Sequence, residues 1–78
     1  MKIDVLGPGC AKCKQLYENA QQAVAEVGVE VALNKVEDIQ EISQYNVLMT
    51  PALVIDGTVK STGKVASPDQ IRKWIEKS

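Results

Sequence analysis

The chain has 78 residues, 45% of them hydrophobic, with nine basic against ten acidic side chains and a formal net charge of −1. That length holds one domain, residues 1–78, with one modest core, and the near balance of charge gives no footing for nucleic acid or an anionic membrane surface as partner. Histidine is absent, which removes mixed Cys/His metal sites and a histidine general base.

Lys2 to Leu6 read as a short strand, closed by the turn signal Gly7-Pro8-Gly9. A helix follows from about Ala11 to Val27, because Cys13, Leu16, Tyr17, Ala20, Ala23, Val24 and Val27 recur at the three-and-four spacing of one apolar face. Gly28 ends it. Val29, Val31 and Leu33 then alternate with Glu30, Ala32 and Asn34, the period of a strand with one buried face. Asp38 and Glu41 stand in the N-cap and N3 relation at the start of a short helix, whose Ile39 and Ile42 are expected to point inward. Tyr45-Asn46 ends that helix.

After Thr50-Pro51, the segments Ala52 to Ile55 and Thr58 to Ser61 flank Asp56-Gly57, a type I′ hairpin dipeptide. Ser67-Pro68-Asp69-Gln70 combines an N-cap, proline at the first helical position and Gln at N3. Ile71, Trp74 and Ile75 give this last helix its core face. The order β-α-β-α-β-β-α predicts an α/β fold, a mixed four-stranded sheet flanked by helices.

Two cysteines, Cys10 and Cys13, bracket Ala11-Lys12. No apolar run approaches the roughly 20 residues of a membrane helix and no signal-peptide pattern opens the chain, so the expectation is a cytoplasmic protein without membrane contact. Thiols there are kept reduced, and a C-x-x-C pair signals redox or metal chemistry more than a static staple. A bridge closing about four residues constrains the unfolded chain by only about 2 kcal/mol, against roughly 4.7 for a hundred-residue loop. Cys10 starts the helix, where unpaired N–H groups and the helix dipole favour an anion by about 0.5–2 kcal/mol. Lys12 and Lys14 add positive charge nearby. Cys10 is therefore the expected nucleophile. Cys13, three residues on and on the apolar face, is sheltered and within reach of Cys10, as a resolving cysteine must be.

The same pair has a second reading, as a soft-metal site or carrier for Cu(I), Zn(II) or Hg(II). Two thiolates do not complete a tetrahedral site, and no further Cys or His is present to finish it. Small metallochaperones moreover follow a β-α-β-β-α-β order, which differs from the order read here.

Strand, turn, C-x-x-C at a helix start and a later Thr-Pro before a hairpin together resemble the thioredoxin superfamily, over essentially the whole chain. The nearest group is the small, glutaredoxin-sized thioredoxin-like proteins called redox-active disulfide proteins. The resemblance implies a thiol-disulfide oxidoreductase that acts on protein disulfides as a monomer. Its redox group is the Cys10–Cys13 disulfide with no separate cofactor, and its electron donor a flavoprotein disulfide reductase. It implies a cis Pro51 lying against the disulfide, with Thr50 offering backbone groups to an extended substrate segment; an ordinary loop before a strand is the alternative. Asp4, six residues before Cys10, matches a buried acid able to take the proton of Cys13, with a solvated strand position as the alternative. Lys12 tunes the thiol or is a plain surface lysine, and Tyr45 lines the groove near Pro51 or simply packs.

Departures from the pattern matter too. No aromatic precedes Cys10, where Pro8-Gly9 stand, and Ala-Lys separates the cysteines. After the last strand Ser61-Thr62-Gly63-Lys64 lacks the Gly-Gly and Asp with which glutaredoxins hold glutathione.

Overall fold

A computed structural model describes residues 1–9, 11–28, 30–47 and 49–77. Strand β1 (Lys2–Leu6) leads into helix α1 (Ala11–Val27), strand β2 (Ala32–Val36) and helix α2 (Ile39–Ser43). The hairpin β3 (Ala52–Ile55) and β4 (Thr58–Thr62) follows, and helix α3 (Pro68–Lys77) closes the fold. The sheet order is β2-β1-β3-β4, with β1 parallel to β2 and antiparallel to β3. This is the mixed four-stranded α/β arrangement the element order predicts.

Alternation along the two central strands sorts the core into two layers. Ile3, Val5, Leu53 and Ile55 pack with Leu16, Ala20 and Ala23 of α1 and with Ile71 and Ile75 of α3. On the opposite face, Leu6, Ala52 and Val54 pack with Ile42 of α2. Complete burial of each large aliphatic side chain contributes about 1.5–3 kcal/mol. The exposed pairs that Arg72 makes with Glu26, Asp69 and Glu76 add about 0–1 kcal/mol each. Packing, not surface charge, therefore joins α3 to α1. Asn19 assists by donating from Nδ2 to the carbonyl of Ala66 at 2.9 Å, fixing the approach to α3.

Local signals act largely as read. Asp38 caps α2 by accepting from the Gln40 N–H at 2.9 Å, and Asn46 ends the following turn with φ of 58°. Ser67 caps α3 through the Gln70 N–H at 3.2 Å. Asp56 and Gly57 have φ of 49° and 84°, the two left-handed residues of a type I′ turn.

Two readings are corrected. Ile39 does not point inward: it is 72% exposed, while Ile42 is 6% exposed. Ile39 is the first residue of this five-residue helix, and the core layer on that face receives Ile42 but does not extend to Ile39. The second strand spans Ala32–Val36, later than the alternation from Val29 implies. Its extent follows from its partner: the Ala32 N–H bonds to the Met1 carbonyl at 3.0 Å, and pairing then runs from Lys2↔Ala32 to Leu6↔Val36. Val29 itself lies outside the described residues.

Candidate functional site

Cys13 is the third residue of α1 and is 1% exposed. Its burial follows from the helical stripe it shares with Leu16 and Ala20. Cys10, the expected nucleophile, lies outside the described residues.

The Cys13 sulfur rests against the backbone of Gly7, just past the end of β1. A β-carbon on Gly7 would collide with that sulfur, lie 3.0 Å from the Cys13 β-carbon and 3.9 Å from the Pro51 α-carbon. The end of β1, the start of α1 and the start of β3 thus converge on one point. Backbone bonds hold the convergence: Gly7 N–H to the Val36 carbonyl at 2.9 Å, and Gly63 N–H to the Pro51 carbonyl at 2.8 Å. The Thr50–Pro51 peptide bond is cis. Pro51 is fully buried and Thr50 exposed. Gly7 is a site residue that sequence reasoning used only as a turn former; the missing signal was the through-space approach of α1.

Next to this convergence a groove of about 290 Å³ is lined by Pro8, by Thr50, by Ile39, Ile42 and Ser43 of α2, and by Val47 beyond the end of that helix. The exposure of Ile39 therefore places an apolar surface beside the cysteine turn.

Asp4 is 4% exposed and sits on central strand β1, between Asn34 of β2 and Val54 of β3. The solvated strand position does not hold. Its side chain projects to the α2 face, where Oδ2 accepts a hydrogen bond from the Tyr45 hydroxyl at 3.2 Å. Burial raises the Tyr45 hydroxyl above its ordinary pKa; the negative charge of Asp4, the bond to it and the charge of Glu41 act in the same direction. Tyr45 is thus engaged with Asp4 and packs in the α2 layer with Val36 and Val47. Lys12 is exposed on the first turn of α1.

A sheltered cysteine in the first turn of a helix, resting on a glycine that also neighbours a buried proline just before a strand, defines a site of thioredoxin type. A family model described as Thioredoxin domain matches residues 1–76. A protein named Thioredoxin from Methanothermobacter thermautotrophicus is 38% identical over 75 residues, covering 96% of this chain and 97% of its own. A protein named Thioredoxin from Methanocaldococcus jannaschii is 38% identical over 74 residues, covering 95% and 85%. The chain belongs to the thioredoxin family, and its activity is of the thiol-disulfide oxidoreductase type. No helix among the described residues is long and apolar enough to cross a membrane.

Proposed function

We propose that Cys10 and Cys13 cycle between dithiol and disulfide to reduce or exchange disulfides in client proteins. The Cys10 thiolate attacks one sulfur of the client disulfide, and the other client sulfur departs with the electron pair and takes a proton. Cys13 then gives up its proton and attacks the Cys10 sulfur. The mixed disulfide breaks, the second client thiol leaves, and the pair is left oxidised by two electrons. A flavoprotein disulfide reductase returns those electrons, and the cytoplasm is the compartment this cycle suits. No cofactor beyond the cysteine pair enters, and a single copy of the chain suffices.

The observation that carries this reading is the burial of Cys13 against Gly7, the residue that also neighbours the buried Pro51. A thiol so enclosed is shielded from bulk reagents, and a partner sulfur held at the helix start is its natural target. Thr50 forms one wall of the docking site, held in place by the buried cis Pro51 beneath it. The apolar groove from Pro8 to Val47 receives a side chain of an extended client segment. Lys12 contributes positive charge near the nucleophile. The test is reduction of insulin disulfides by wild type and Cys10→Ser: wild type alone should be active, and equal rates for the two would refute the reading.

A further inference from the structure

We propose that Glu37 is a specificity-determining residue, whose carboxylate at the edge of the cysteine turn favours client disulfides flanked by basic residues over those flanked by acids. The inference rests on the proposed dithiol cycle and names the class of client that the cycle serves best. Strand β2 ends at Val36, whose carbonyl accepts from the Gly7 N–H at 2.9 Å. That bond fixes where the chain leaves the sheet, so the next residue, Glu37, emerges alongside the Gly7-Pro8-Gly9 turn. Glu37 is exposed, yet its carboxylate leans onto the turn: Oε2 lies 3.3 Å from the place a β-carbon would take on Gly9. The residue bonded to Gly9 is Cys10, and one peptide unit spans 3.8 Å between α-carbons. A client segment engaged there comes within about one Debye length of the Glu37 charge, about 8–10 Å at ordinary ionic strength.

The groove beside the turn is walled by the same sign of charge. From Glu37 to Thr50 the sequence holds three acids, Glu37, Asp38 and Glu41, and no lysine or arginine. The three are not equivalent. Asp38 Oδ1 accepts from the Gln40 N–H at 2.9 Å and caps α2. Glu41 lines the separate cleft onto which Lys2, Lys35 and Tyr45 open. Of the three it is Glu37 whose carboxylate meets the turn.

Lys12 and Lys14, exposed in the first turn of α1, supply the opposite sign on the helix side. A client lying in the groove with a lysine or arginine beside its cysteine is drawn to the Glu37 side, and an acid in that place is repelled. Exposed charges act weakly and are screened by salt. The effect therefore falls on the rate and choice of client rather than on the fold.

The test uses two small disulfides of opposite charge, cystamine and dithiodipropionate, with the reduced full chain. The second-order rate constant for each is read from loss of protein thiols by acid quenching and alkylation. The two probes differ in intrinsic reactivity, so the readout is the change in the ratio of their rate constants between variants. Glu37→Gln should lower the cystamine-to-dithiodipropionate ratio about fivefold at low ionic strength, and Glu37→Lys should lower it further. A change in the reactivity of the thiolate itself multiplies both rates alike and cancels in the ratio. Glu26→Gln makes the same charge change about 22 Å along α1 from its first residue, and should leave the ratio at the wild-type value. In about 1 M salt, where the Debye length is about 3 Å, Glu37→Gln and wild type should converge. A Glu37→Gln ratio equal to wild type overturns the proposal, as does an equal fall in Glu26→Gln or a difference undiminished by salt. Failure of the dithiol cycle shows separately, as equal rates for wild type and Cys10→Ser with both probes.

Discussion

The backbone of Gly7 lies directly against the sulfur of Cys13, so the end of the first strand is the floor on which the sheltered cysteine rests. Gly7 needs no left-handed backbone to do this; what it supplies is the absence of a side chain. Gly7→Ala should therefore destabilise by overpacking, by about 1–3 kcal/mol. At roughly 4–8 °C per kcal/mol for a domain of this size, a thermal melt will resolve the loss. A melting temperature equal to wild type would show that the sulfur has room to retreat.

Replacing the sheltered cysteine separates the two chemical steps. Cys13→Ser leaves the proposed nucleophile in place and removes the group that frees it. The variant should accumulate a mixed disulfide with insulin, visible as a mass increase that a reductant reverses. Absence of any adduct would mean that Cys10 does not attack first.

The groove gives a contrast between neighbouring isoleucines on α2. Ile39 is 72% exposed and lines the groove, whereas Ile42 is 6% exposed and fills the core layer. Ile39→Asp should raise the KM for insulin several-fold while unfolding free energy stays within about 0.5 kcal/mol of wild type. Ile42→Ala should cost about 2–5 kcal/mol. Equal KM values for Ile39→Asp and wild type would place client docking elsewhere.

The raised pKa of Tyr45 makes stability depend on alkaline pH. Folding favours the neutral phenol, so this contribution is fully present below the ordinary value of 10.0 and is lost as pH rises through the higher folded value. The ultraviolet difference spectrum of wild type minus Tyr45→Phe should show tyrosinate forming above pH 10.0. The stability difference between the two proteins should shrink across the same range. Ionisation at or below pH 10.0 would contradict the burial of this hydroxyl beside Asp4.

Much of this was legible in the chain because the signals are local. The stripe from Cys13 to Val27, the Asp56-Gly57 turn and the Ser67 cap each depend on neighbours within a few residues. Ile39 misled because it shares a helical side with Ile42, and spacing alone cannot show how far along that side the core layer extends. The start of β2 was hidden for a related reason, since Met1 and Lys2 fix it from across the sheet. Gly7 reads in sequence only as a turn former and Tyr45 only as a groove or packing residue, because their contacts exist only through space: one makes room for a sulfur, the other reaches a carboxylate from a different element. Asp4 looked ambiguous in sequence because an acid on a short strand is buried or wet depending on its flanking strands, and here both sides are covered.

Cys10 and Cys13, as proposed, should behave as one reversible two-electron couple. Equilibration with glutathione redox buffers, followed by acid quenching and alkylation, counts free thiols at each ratio of reduced to oxidised glutathione. Both thiols should disappear together in a single transition governed by the squared concentration of reduced glutathione divided by the concentration of oxidised glutathione, with a tenfold change in the equilibrium constant for about 30 mV. Loss of one thiol with one glutathione retained, or two thiols that stay alkylatable at every ratio, would contradict it.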